Sequence, residues 1–159
     1  MSTDAIVMLR EGHKELRRLM RSYRVEGSTE AVGPFLRALT VYGYLEREGM
    51  YPRVVVLLPE TEPDVLGFVE EHHIADVLAA ELYDMRPDAV AFDAKTRLLM
   101  DIVERHMDAE EHRWFPRVRA AVGRRDLQEI GAWLTRLADR APQRPHRPSS
   151  QVMWDTVAA

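Results

Sequence analysis

Tyr42-Gly43-Tyr44-Leu45-Glu46-Arg47-Glu48-Gly49-Met50-Tyr51-Pro52 and His106-Met107-Asp108-Ala109-Glu110-Glu111-His112-Arg113-Trp114-Phe115-Pro116 are two eleven-residue stretches built on one plan. Aligned on their aromatic-proline pairs, each carries a candidate ligand nine residues before the aromatic, Tyr42 or His106. Each also carries a glutamate five residues before it, Glu46 or Glu110. The chain therefore repeats a ligand-x-x-x-Glu-x4-aromatic-Pro unit. Residues at i and i+4 lie one above the other on a helix, so the two polar side chains of a unit address one place.

Outward from these units the apolar spacing is helical throughout, with no alternating strand pattern of useful length. Ser2, Thr3 and Asp4 offer N-caps for a first helix to about Tyr23, whose stripe of Ile6, Leu9, Leu16 and Met20 is completed by His13. A second helix is expected from about Glu30 to Tyr51-Pro52, with Phe35, Leu39, Tyr42 and Glu46 along its inward line. Leu58 to Pro63 reads as a loop, and a third helix from about Pro63 to Met85 carries His72 and His73 in its middle. A fourth, from near Ala89, brings Leu99, Ile102, His106 and Glu110 along one face toward Phe115-Pro116. A short fifth covers about Asp126 to Arg140. The expectation is an all-α chain: an up-down-up-down four-helix bundle with a short extra helix in residues 1–140, then a Pro-rich tail, 141–159, extended or disordered and holding Trp154.

Composition narrows the function. Of 159 residues, 46% are hydrophobic, enough for one sizeable core. Lys+Arg 22 against Asp+Glu 26 leaves a net charge of -4, which argues against a nucleic-acid partner held by phosphate contacts. The longest apolar run, Val54 to Leu58, falls far short of the roughly 20 residues of a bilayer span, so no membrane association is expected. The opening residues are charged and lack an apolar signal core, which predicts a cytoplasmic protein. Cysteine is absent, excluding disulfides, thiolate zinc sites and iron–sulfur clusters. A metal would have to be held by histidine, carboxylate or phenolate. A ferritin-like site needs Glu-x-x-His on two helices, and only Glu70-x-x-His73 fits. No His-Glu-x-x-His, P-loop or dinucleotide fingerprint occurs.

Taken singly, each candidate has an ordinary structural explanation. A lone core histidine such as His13 is more often hydrogen-bonded than ligating, a tyrosine at helical spacing is usually packing, and single glutamates are usually solvated. Polar groups on four inward stripes are different, because burying carboxylates and imidazoles without partners costs several kcal/mol each. Coordination to a metal removes that cost. Opposed in a bundle, His13, Tyr42, Glu46, His72, His106 and Glu110 would surround two adjacent ions, with the glutamates between them.

These residues resemble the hemerythrin-like, or HHE cation-binding, proteins. That family's pattern is a His on helix one, His-x-x-x-Glu on helix two, a His on helix three and His-x-x-x-Glu on helix four. The matching stretches are Asp4-Ala5-Ile6 through His13, Leu39 to Tyr42 with Glu46 and Tyr51-Pro52, Glu71-His72-His73, and His106 with Glu110, Glu111 and Phe115-Pro116. The resemblance covers about residues 4 to 140. It implies a cofactor of two iron ions, oxo- or hydroxo-bridged, and a small-molecule partner such as hydrogen peroxide, dioxygen or nitric oxide. Its spacing to Leu78 through Leu82 favours His72 over His73 on helix three, leaving His73, Glu111 and His112 at the surface or behind the ligands.

Tyr42 stands where the family usually has histidine. Phenolate is a hard anionic donor suited to Fe(III). An oxo-bridged diferric core with two carboxylates carries about +2, and a phenolate lowers this to about +1, which favours the oxidised state. Reversible dioxygen carriage needs an accessible diferrous state. Such carriage is therefore disfavoured, and the resemblance to the family, with Tyr42 in this place, implies an oxidoreductase with catalase-like action on hydrogen peroxide, Tyr42 being both ligand and catalytic residue. Tyr44 and Tyr51 are the runners-up as phenolate donors. The alternative is a non-catalytic module that binds or senses iron, dioxygen or nitric oxide, and a weaker one is a metal-free bundle used for partner binding.

Overall fold

The computed structural model describes residues 3–148. Among these, all regular structure is helical. Helix α1 spans Ala5–Arg24, α2 Val32–Leu45, α3 Tyr51–Leu57, α4 Glu62–Asp84, α5 Phe92–Ala109, α6 Phe115–Ala121 and α7 Arg124–Ala138.

Local chemistry sets the ends. Asp4, in extended conformation, starts α1 by accepting the Val7 N–H on its side chain at 2.9 Å, and Arg119 clamps the same carboxylate at 3.2 Å. Arg21 and Arg24 occupy the last turn, where cations oppose the helix dipole. Gly27, at φ 71°, turns the chain away from α1. Pro34 and Pro63 sit near helix starts, where no backbone N–H is missed. The expected loop at Leu58–Pro63 contains a single 3-10 turn, Pro59–Thr61.

The two repeated units deliver the main departure from expectation. Neither helix stops at its aromatic-proline pair. Instead α2 runs through a π-helical turn, Glu46–Met50, directly into α3, and α5 runs through another, Glu110–Trp114, into α6. Proline lacks an N–H and its ring clashes with the carbonyl four residues back. Widening the turn by one residue relieves that clash: the Tyr51 N–H reaches Glu46 O and the Phe115 N–H reaches Glu110 O, each five residues back. Pro52 and Pro116 then lie in the first turn of α3 and α6, where an N–H is not required. What reads as a stop signal in α-helical spacing is a bulge in a continuous helix.

Helix α1 packs on α2, α2 on α4, α4 on α5 and α5 back on α1, closing a ring around one core. Phe35, Met50, Val54, Val65, Leu99, Met100 and Met107 are fully buried there, and each such side chain contributes about 1.5–3 kcal/mol by leaving water. Helix α7 covers α1, α2 and the first π turn. Its Gly131 lies so close to the start of α1 that a Cβ would come within 2.0 Å of the Thr3 carbonyl oxygen. After α7, residues 141–148 lack regular structure, and Arg147 pairs with Glu81 of α4 at 3.1 Å. Trp154 and the proposed cap Ser2 lie outside the described residues. No described helix is long and apolar enough to cross a membrane.

Candidate metal centre

Each wall of the ring contributes polar groups to its middle. His13 comes from α1, Tyr42 from α2, Glu46 from the first π turn, His72 from α4, His106 from α5 and Glu110 from the second π turn. All six sequence-predicted residues are buried; His13, Glu46 and Glu110 have no exposed surface at all. His72 faces inward, whereas His73 is only partly buried and His112 is exposed, bonding the Asp108 carbonyl at 2.9 Å.

The donors fall into two groups that share one carboxylate. Ligand atoms of Glu46, His72 and His106 lie within 4.8 Å of one another, and so do those of His13, Glu46 and Glu110. In the first group, His72 Nε2 stands 2.8 Å and His106 Nε2 3.4 Å from Glu46 Oε2, with the two Nε2 atoms 3.2 Å apart. In the second, Tyr42 is hydrogen-bonded to His13 Nε2 and donates to Glu110 Oε2 at 3.0 Å, and His13 Nε2 is 3.2 Å from that same oxygen. Gly12 makes room for the Tyr42 ring: a Cβ there would meet Tyr42 Cδ2 at 2.8 Å.

Tyr51 occupies a larger part than its runner-up standing in the sequence suggests. Its hydroxyl, with one proton to give, lies within donating distance of two carboxylate oxygens, Glu46 Oε2 at 2.9 Å and Glu110 Oε1 at 2.8 Å, and 3.4 and 3.3 Å from the Nε2 atoms of His72 and His106. In an α-helix a residue five positions on points well off the face of the first. The π turn brings positions i and i+5 onto one face, and so carries Tyr51 over Glu46. The second π turn, Glu110–Trp114, places Phe115 in the corresponding position, and its ring stacks on His13 with centroids 5.7 Å apart. The repeat was visible in the sequence; its backbone geometry was not.

Behind the inner groups stands a further layer. His13 Nδ1 faces Glu111 Oε1 at 2.5 Å, and His106 Nδ1 faces Glu71 Oε2 at 2.7 Å. A carboxylate on the outer nitrogen fixes ring orientation and leaves Nε2 free to ligate. Arg17 holds Glu111 at 2.9 Å and also bonds Glu104 at 2.8 Å and Asp108 at 3.1 Å. The sequence does not mark Glu71 or Arg17 as supports of the inner histidines, because no helical spacing distinguishes a side chain behind a histidine from one in water.

Electrostatics follow from the two buried carboxylates. Burial drives the Tyr42 and Tyr51 hydroxyls well above their ordinary range, reinforced by the charges of Glu110 and Glu46. Burial opposes charge on His106, yet the charge and hydrogen bond of Glu110, with Glu46 and Glu71, raise it well above the usual imidazole value. His13 is raised in the same sense, burial being outweighed by Glu110. His72 is pushed well below, by burial first and then by the neighbouring His106 and Arg47. Burial favours the acid form of Glu46, but the hydrogen bond and charge of His106 prevail and hold it below the ordinary carboxylate range.

One atom tests whether a cation fits. Glu46 Oε1 is buried and has no hydrogen-bond partner among the described residues, although an unmatched buried carboxylate oxygen costs several kcal/mol. Glu46 belongs to both donor groups, so a pair of cations flanking it satisfies both of its oxygens. Imidazole, carboxylate and phenol donors with no thiolate suit a first-row transition ion, and the phenols suit a ferric one. The residues present therefore fit a metal.

Comparison with known proteins agrees with this geometry. No curated protein and no solved structure matches the chain. The family model described as the hemerythrin HHE cation-binding domain matches residues 4–118, from the cap of α1 to the middle of α6, and so takes in every donor described above. The chain belongs to the hemerythrin HHE cation-binding domain family.

Proposed function

We propose that this chain is an up-down-up-down bundle holding two iron ions side by side, and that it decomposes hydrogen peroxide. The observation that carries the two-ion reading is Glu46, shared by two separate donor groups and buried with one oxygen unpartnered. His13, Tyr42 and Glu110 would serve one ion and His72 and His106 the other, with Glu46 between them and Tyr51 within reach of both carboxylates.

Two phenols in one centre support a ferric resting state, since phenolate stabilises Fe(III). When bound, the metal pair would supply two-electron redox chemistry, taking one peroxide to dioxygen and a second to water. The chain's own part is to position and to move protons. Glu111 and Glu71 hold the outer nitrogens of His13 and His106. The Glu71 side chain is 45% exposed, so it links the buried His106 Nδ1 to solvent as a path for protons. A cavity of about 20 Å³ beside the centre, lined by Gly43, Arg47, His72 and His106, accepts a molecule the size of water or peroxide.

Metal analysis with visible spectroscopy on the iron-loaded protein tests the centre, and oxygen release from peroxide tests the activity. The expected result is about two irons per chain and a broad phenolate-to-iron band, weakened in Tyr42→Phe or Tyr51→Phe and lost in the double variant. One iron per chain would remove the shared role of Glu46. Two irons without oxygen release would replace peroxide chemistry with binding of dioxygen or nitric oxide.

A further inference from the structure

The three inward histidines are not held alike. His13 and His106 each present the outer nitrogen to a carboxylate, Glu111 at 2.5 Å and Glu71 at 2.7 Å. His72 presents its Nδ1 to Arg47 Nη1 at 2.9 Å. A carboxylate accepts a proton from the ring, whereas a guanidinium only donates. His72 Nδ1 must therefore carry the lone pair. In a neutral ring the proton then sits on Nε2, aimed at Glu46 Oε2 2.8 Å away. That nitrogen is the one that would have to ligate.

The means of reversing this tautomer is adjacent. Arg47 Nη1 also pairs with Asp76 Oδ2 at 3.1 Å, so His72 Nδ1 and the Asp76 carboxylate share a single donor atom. His72 and Asp76 are one turn apart on α4, close enough to bond each other if Arg47 withdraws. Arg47 has 14% of its side chain exposed and borders the small cavity, so its head lies at the edge of the core, between His72 and solvent. With Arg47 away, Asp76 accepts the Nδ1 proton and His72 acquires the same carboxylate support as the other two.

We propose that Arg47 and Asp76 are positioning residues that decide whether His72 serves as a ligand. Arg47 keeps the half-site of His72, His106 and Glu46 open, and Asp76 closes it. The half-site of His13, Glu46 and Glu110 lacks such a contact and fills first. The two metal positions are consequently unequal, the second requiring Arg47 to leave. This rests on the metal reading above.

The full chain, freed of metal, provides the first test through ¹⁵N NMR of the histidine rings. His72 is expected as the Nε2–H tautomer in the wild type and as Nδ1–H in Arg47→Met. Cobalt(II) titration followed in the visible range provides the second. The wild type should show two binding steps, the second strengthened about tenfold by Arg47→Met and weakened about tenfold by Asp76→Ala, in line with the effect of groups behind metal ligands. Arg47→Lys, which keeps a cationic donor, should retain the wild-type order. An Nδ1–H tautomer in the wild type overturns the proposal. So does cobalt uptake whose second step is the same in the wild type, Arg47→Met and Asp76→Ala. A chain that takes up no cobalt in any form overturns the metal reading and this proposal with it, an outcome distinct from the previous two.

Discussion

Tyr51, the aromatic of the first repeated unit, donates a hydrogen bond of 2.8 Å to Glu110, the carboxylate of the second. The contact ties the two π turns together across the core and satisfies a fully buried carboxylate oxygen. Tyr51→Phe would remove that donor from Glu110 Oε1, whereas Glu46 Oε2 keeps His72 Nε2 at 2.8 Å. A buried acceptor stripped of its donor costs about 1–3 kcal/mol. Urea unfolding of the metal-free variant should show a loss of that size, and a loss below about 0.5 kcal/mol would mean that water takes the place of the hydroxyl.

Gly12→Ala tests the placement of Tyr42. The added methyl would stand 2.8 Å from Tyr42 Cδ2, so the ring must move or α1 must shift. Overpacking of this kind costs about 1–3 kcal/mol. Because the ring carries the hydroxyl bonded to His13 and Glu110, the phenolate band of the iron-loaded variant should shift as well. A stable variant with an unchanged spectrum would place Tyr42 outside the centre.

Glu111→Ala removes the carboxylate from His13 Nδ1 without touching an inner donor. Loss of such a partner lowers metal affinity by about 10–100-fold. Competition with a chelator of known affinity would measure the change, and an unaltered affinity would show that His13 is oriented by Tyr42 and Phe115 alone.

Metal uptake should release protons and strengthen as pH rises. His106, Tyr42 and Tyr51 are all raised above their ordinary values in the metal-free chain, His106 by its carboxylate neighbours against burial and the phenols by burial itself. Groups with raised values hold their protons at neutral pH and must yield them to a cation. Affinity therefore climbs with pH through the neutral range, and a pH indicator in weak buffer would report acidification on adding metal. Uptake without proton release would exclude the phenols and His106 as ligands.

Acid stability depends on a different residue. Burial favours the neutral form of Asp4, but the Val7 N–H and Arg119 outweigh it and lower its carboxyl below the ordinary 3.8. A depressed folded value means that its stabilisation is present above the unfolded value and is lost as pH falls through the folded one. Asp4→Ala should cost about 0.5–2 kcal/mol at pH 7 and progressively less below about pH 4, where the wild type protonates the same group. A cost independent of pH would assign the effect to the cap geometry and not to charge.

Helicity, and the inward facing of His13, Tyr42, Glu46, His72, His106 and Glu110, are legible in the sequence, because apolar spacing and the repeated unit register directly on an α-helical face. That His72 and not His73 turns inward was also legible, from family spacing. What lies off that period comes from backbone geometry and helix packing. The π turns shift the register by one residue, so Tyr51 joins Glu46 although α-helical spacing sets them apart, and Pro52 and Pro116 continue helices that they were expected to end. The carboxylates behind His13 and His106, and the guanidinium behind His72, arrive from other helices. Such partners are set by how helices pack against one another, which no local pattern encodes.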